Sequence, residues 1–389
     1  MNRRSYLTAA GAACGAVAGC LGSTADDPAA DPPSAAIETV ADGLSNPWGL
    51  AFLPDDGRLV VTERDTGRVV LVDRETGDQT EVEGVPAVDP AGQGGLLDVT
   101  IHPEFPAEPW LYLTYSATND AGESTTHLGR GRLDPTAAAL SAFEVLHAAE
   151  PFLDRTNHYG SRVVFGDDRR LYLTVGDREF KDFGPEHVSQ DLTNDLGSIL
   201  RFEPDGSIPD DNPFLGEADA RDPIYSYGHR NPQGLAVHPE TGALWESEHG
   251  ERDGDELNVI EAGGNYGWPV ATYACEYGTD TPVGDAPDER EDLVPPVYYW
   301  ECGSGGFPPA GMSFYDGPID DWRGDLFVGN LAGEYLGRFS VDGTDVTERE
   351  PLLTDRGWRM RAVETAPDTG HLYAAVDAGD APVVRLVPE

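Results

Sequence analysis

The sequence predicts an all-β protein, a six-bladed β-propeller of four-stranded antiparallel blades, and three observations carry that prediction. An alternating apolar run, a turn of Pro, Asp or Gly, and a second alternating run recur together six times along the chain. Most gaps between copies hold a further strand-like run, such as Val69-Val70-Leu71-Val72 or Ile199-Leu200-Arg201-Phe202, which brings each repeat to four strands. No segment shows the periodicity of an amphipathic helix. A pair of β-sandwiches would suit the composition but not a sixfold recurrence.

The chain opens on Asn2-Arg3-Arg4-Ser5-Tyr6-Leu7-Thr8 and a small-residue apolar run from Ala9 to Gly19. Paired Arg ahead of an aromatic and Leu matches a twin-arginine export signal, and the run is too short to span a membrane. Cys20 follows Val17-Ala18-Gly19 as in a lipobox, whose cysteine becomes a lipidated N-terminus; a plain export signal with an incidental cysteine is the other reading. Residues 1–20 are assigned to this signal with its lipobox, 21–36, rich in Ala, Asp, Pro and Ser, to a linker, and 37–389 to the propeller. The expected location is the extracellular face of the cell membrane, through a lipid anchor at Cys20, or the medium.

The hairpins follow in order. The first is Gly49-Leu50-Ala51-Phe52, a Pro54-Asp55-Asp56-Gly57 turn and Leu59-Val60-Val61-Thr62-Glu63. The others start at Gly95, Ser161, Gly234, Gly311 and Arg361, each with apolar residues at period two on both sides of its turn.

Composition bounds the function. With 70 Asp+Glu against 26 Lys+Arg, the 389-residue chain carries a formal charge of −44, which would repel nucleic acid and anionic lipid alike. Hydrophobic content of 39% supplies a core, so the acidity is not that of a disordered tail. Lys181 is the sole lysine. An acidic surface almost without Lys suits high salt, where screening mutes self-repulsion. Beyond the signal only Cys275 and Cys302 remain; without a CxxC spacing or an adjacent His they favour a disulfide over a metal pair, two buried thiols being the alternative.

Propeller chemistry belongs in the long connections around the central channel. There the sequence holds Gly92-Gln93-Gly94, Asn157-His158-Tyr159, Gly228-His229-Arg230-Asn231, the stretch Ser247 to Asn258, Asn265-Tyr266-Gly267-Trp268-Pro269, and Trp358-Arg359-Met360-Arg361. Glu251, Asp253, Asp255 and Glu256 beside Gly-rich backbone suit Ca²⁺, or face salt water as a solvated acidic surface. His158 reads as a general base or as a hydrogen-bonded turn residue. Arg359 and Arg361 would share one strand face, either to clamp carboxylates or to balance acidic neighbours. No G-x-S-x-G, HExxH, GxxxxGK or helix-opening GxGxxG occurs, which disfavours esterase, zinc protease, nucleotide hydrolase and Rossmann dehydrogenase.

GHRNPQGL at 228–235, SEHG and DELN within 247–258, NYGWP at 265–269, GQGGLLD at 92–98 and NHYGSR at 157–162 resemble the soluble aldose sugar dehydrogenases that use pyrroloquinoline quinone (PQQ), the glucose/sorbosone dehydrogenase family. The match covers nearly all of 37–389, and with the acidic surface the chain looks like a haloarchaeal exported lipoprotein of that family. The resemblance implies a six-bladed propeller that oxidises the anomeric hydroxyl of aldoses to lactones, with PQQ and Ca²⁺ as cofactors and an unidentified electron acceptor as partner. It implies His158 as the general base and Arg230 as the donor to the substrate oxygen. Gln93 and Asn231 match quinone contacts, and Arg359 and Arg361 the partners of its carboxylates. Backbone carbonyls of Gly250 and Glu251 resemble ligands of the Ca²⁺ at the quinone, and Glu256 with Tyr266 a second, structural Ca²⁺. Two departures stand out: Asn157 replaces an Asp that some relatives carry before the histidine, and Ala332 a lysine that reaches the quinone. A Ca²⁺-dependent lactonase-like hydrolase and a non-catalytic surface-binding propeller are the other readings. The Arg pair argues against the first, and retention of His158 with Arg230 against the second.

Overall fold

The computed structural model describes residues 35–389, so the signal, Cys20 and most of the linker lie outside the described residues. Six four-stranded antiparallel sheets form the six blades. In chain order their innermost strands are Pro47–Phe52, Leu96–Ile101, Val163–Phe165, Pro232–Val237, Pro309–Phe314 and Met360–Thr365. Each is the first strand of a predicted hairpin, and the hairpin's second strand lies next to it. The sixfold pattern in the sequence is therefore the inner half of every blade. Among the described residues the only helices are short 3-10 turns.

Ala35–Leu44 pairs antiparallel with Ala381–Pro388 and completes the last blade, so the chain closes its own ring. Ala35 and Ala36, read above as the end of the linker, begin this strand. Between the last blade and the first, Leu50, Val61 and Val70 bury against Tyr373, Ala375 and Val383, and similar apolar clusters fill the other gaps between blades.

Small residues start the repeats because inner strands crowd together around the axis. A Cβ on Gly49 would lie 2.7 Å from Asp98 Oδ1, and one on Gly311 2.9 Å from Ala362 Cα. A second recurring device ties blades together. Thr114 Oγ1 accepts from the Asp98 amide of its own blade at 2.8 Å and donates to the Ser161 carbonyl of the next at 2.7 Å. Thr174 does the same between Arg162 and Pro232, at 2.9 Å each, and Thr62 between Gly49 and Leu97. These hydroxyls satisfy backbone groups that the strand ladders leave over.

An inserted hairpin, Ala271–Cys275 with Pro282–Gly284, projects from the fourth blade in chain order, within the long link to that blade's outer strand. That blade is the fourth sheet, built on Pro232–Val237. Cys275 and Cys302 form a disulfide there, with Cα atoms 5.5 Å apart.

Candidate active site

His158 sits on the connection into the third blade with a positive φ of 48°, a strained turn typical of functional positions. Its amide donates to Gln93 Oε1 at 2.9 Å, and Gln93's own amide donates to the Thr156 carbonyl. Nδ1 is 2.7 Å from Asp177 Oδ1. A carboxylate there fixes the tautomer with hydrogen on Nδ1 and leaves the Nε2 lone pair to act. Asp177 is completely buried, takes the Trp268 indole N–H on Oδ2 at 2.9 Å, and takes the Glu179 amide on Oδ1 at 2.8 Å. Burial would raise its carboxyl, but His158, Arg230 and His187 hold it below the usual range. Burial and the Arg230 charge push His158 below its ordinary value, against the pull of Asp177. The imidazole is thus neutral at neutral pH.

Asn157 leaves the orienting carboxylate to Asp177, which sequence reasoning missed. Asp177 ends the third hairpin's LYLTVGD run, nineteen positions along, so only the bend of the chain brings it under His158. Asn157 itself donates its amide to Glu179 at 2.5 Å.

Arg230 is buried, with its guanidinium 5.2 Å from the Trp268 ring centre. It donates to Glu251 Oε2 at 2.7 Å and to the His249 carbonyl at 3.2 Å, while its Nε has no partner. Both Glu251 oxygens also receive the Lys181 ammonium, at 2.7 and 2.6 Å. Asn231 is buried and accepts the Gly160 amide at 3.3 Å, which pins the turn that carries His158.

Gln93, Arg359 and Arg361 line one cavity of about 410 Å³, together with Trp48, Arg64, His249, Ala332 and Asp377. Arg361 donates to Gln233 Oε1 at 2.7 Å and Asp377 Oδ2 at 2.6 Å, and its Nε is buried without a partner. Arg359, part-exposed, donates to the Leu331 carbonyl at 3.2 Å, and Arg64 and Arg359 stand 3.9 and 3.8 Å from Asp377. Three guanidiniums around one carboxylate leave the cavity net positive in an acidic protein. Burial alone would raise the Asp377 carboxyl, but Arg361, Arg64 and the Asn46 amide hold it far below the usual carboxylate range. Ala332 does line this cavity, and Lys181 does not replace the missing lysine: its ammonium is held by Glu251.

Three of the four expected metal residues also meet. Gly250, Glu256 and Tyr266 border a small void shared with Arg230, Glu248 and Trp268. A Cβ on Gly250 would collide with the Asp253 carbonyl, so backbone oxygen crowds this turn. Burial and the neighbouring Glu248 raise the Glu256 carboxyl well above its ordinary value. Glu246 is equally buried; one oxygen accepts from Asn258 at 3.0 Å and the other has no partner. Such an island of buried carboxylates needs protons or a cation. The Glu251 side chain is committed to Arg230 and Lys181, which leaves only its backbone for a metal.

The family model for glucose / sorbosone dehydrogenase matches residues 44–385. The chain belongs to this family. It is 37% identical over 364 residues to the aldose sugar dehydrogenase YliI of Escherichia coli K12, covering 92% of this chain and 94% of that one. Quinoprotein glucose dehydrogenase B of Acinetobacter calcoaceticus is 34% identical over 263 residues, 62% of this chain and 54% of its own length. Among solved structures, the PQQ-bound aldose sugar dehydrogenase of Streptomyces coelicolor superposes with a TM-score of 0.74 at 31% identity, covering 92% of this chain and all of that one. This family membership accords with the propeller and with the cluster of His158, Arg230 and the arginine-lined cavity.

Proposed function

We propose that the protein is a PQQ-dependent aldose dehydrogenase that oxidises the anomeric hydroxyl of a sugar to the lactone with Ca²⁺ in the site. The observation that carries this reading is the Nδ1-anchored His158, with Nε2 free, beside Arg230 and next to a cavity lined by three arginines. The donor set suits a polycarboxylate: Arg64, Arg359 and Arg361 offer charged N–H groups, Gln93 an amide, and the Arg361 Nε an unused donor. Gly250 and Glu251 backbone oxygen suits a hard cation, as do Glu256 and Tyr266, which border the same small void as Gly250.

When bound, the quinone supplies a two-electron acceptor and Ca²⁺ a Lewis acid that polarises it. The chain's own groups do the proton work. His158 Nε2 takes the proton of the anomeric hydroxyl, and Asp177 stabilises the imidazolium that results. Arg230 donates to the substrate oxygen and stabilises negative charge as it develops there. Trp268 packs against Arg230 and occupies one oxygen of Asp177 with its indole N–H, which keeps water from that carboxylate.

Arg3-Arg4 and Cys20 support export by the twin-arginine route and a lipid anchor, and the charge of −44 supports work in high salt. The test of the activity is reconstitution: protein with PQQ and CaCl₂ should reduce a dye on addition of aldoses. No reduction across a panel of sugars and alcohols overturns the reading.

A further inference from the structure

Tyr277 is the most exposed large hydrophobic residue among those described, at 65%. It follows Cys275 by two positions on the inserted hairpin, which is fastened at its base. The Cys275–Cys302 disulfide holds one side, and paired backbone bonds between Cys275 and Arg252, at 3.0 and 3.1 Å, tie it to the loop that carries Glu251. The Lys181 ammonium lies 5.5 Å from the centre of the Tyr277 ring. That ammonium binds both oxygens of Glu251, and Glu251 binds Arg230. Arg230, Glu251, Lys181 and Tyr277 therefore form one continuous row, from a buried guanidinium beside the base to an aromatic ring in solvent.

We propose that Tyr277 and Lys181 form a subsite for the second pyranose ring of an oligosaccharide, with the reducing ring innermost against His158 and Arg230. The inference rests on the sugar-dehydrogenase reading. Oxidation at the anomeric carbon requires the reducing end to lie against the base, so the rest of a longer sugar has to extend outward from His158 and Arg230. A pyranose has an apolar C–H face and a rim of hydroxyls. The ring of Tyr277 offers a rigid flat surface for that face at small entropic cost. Lys181 has three donors, of which Glu251 takes two. In a chain with one lysine, that cation stands beside the most exposed aromatic ring among the described residues, at the outer end of the row that begins at Arg230. A stacked sugar ring would cover the apolar surface that Tyr277 now presents to water.

The experiment compares glucose with maltose in PQQ- and Ca²⁺-loaded wild type, Tyr277→Ala and Tyr277→Phe. Tyr277→Ala should raise KM for maltose about tenfold and change KM for glucose by less than about twofold, while Tyr277→Phe, which keeps the ring, stays near wild type. Equal changes for both sugars, or none, overturn the subsite. In parallel, saturation-transfer NMR with maltotriose should show contact to the second ring in wild type and its loss in Tyr277→Ala. If no sugar is oxidised but this contact depends on Tyr277, the dehydrogenase reading falls and the subsite stands. If glucose is oxidised and neither readout responds to Tyr277, the subsite falls alone.

Discussion

Asp177 joins His158 to Trp268: one carboxylate oxygen lies 2.7 Å from the imidazole Nδ1, and the other accepts the indole N–H at 2.9 Å. The base is oriented by a fully buried charge that is itself held in place from the opposite side. Asp177→Asn keeps the shape and removes the charge. It should lower kcat by about a hundredfold with little change in PQQ affinity, measured by dye reduction and quinone titration. Activity within about twofold of wild type would remove Asp177 from this role.

The pH dependence follows from the same pair. His158 acts only when neutral, and burial with Arg230 lowers its pKa from 6.5. The acid limb of kcat/KM should therefore lie below pH 6.5. Because the Asp177 charge raises the imidazole pKa, Asp177→Asn should move the limb lower still. A shift of that limb to higher pH would contradict the assignment.

Arg359 and Arg361 should separate function from stability. Arg359 is part-exposed and about 3.8 Å from Asp377, so Arg359→Ala should weaken PQQ binding about tenfold or more without shifting the melting temperature. Arg361→Ala leaves the buried Asp377 without its closest partner. It should weaken PQQ binding and also destabilise the fold by about 3–5 kcal/mol, read by denaturant melts.

Thr174 tests the links between blades. Thr174→Val keeps the volume and strands the Arg162 amide and the Pro232 carbonyl, both buried. A loss of about 1–3 kcal/mol in denaturant unfolding is expected, and an unchanged midpoint would show that the hydroxyl bridges contribute nothing.

Glu256 tests the second cation. Ca²⁺ should raise the melting temperature by a few degrees and a chelator should reverse this. In Glu256→Gln the buried carboxylate is gone, and the Ca²⁺ dependence of the melt should shrink with it.

The blades were legible because each inner strand is a short apolar run that in most copies starts on a small residue and ends in a Pro, Asp or Gly turn, and that local pattern recurs six times in the sequence. Ala35–Leu44 was not legible as a closing strand, since its pairing with Ala381–Pro388 joins the two ends of the domain and leaves no local mark. In the site, His158, Arg230 and Gln93 stood out because each lies within a loop rich in Gly and polar residues. Asp177, Arg64 and Asp377 did not, because each becomes functional only through a partner far along the chain, such as Arg361 for Asp377. The same holds for Lys181, whose pairing with Glu251 crosses from one blade's loop to the next.

The most direct test of His158 as the base is steady-state turnover of His158→Gln after reconstitution with PQQ and Ca²⁺, beside a quinone titration of the same sample. Quinone binding should stay near that of wild type while aldose oxidation falls about a thousandfold or more. Turnover within tenfold of wild type, with quinone bound normally, would contradict the assignment of His158 as the base.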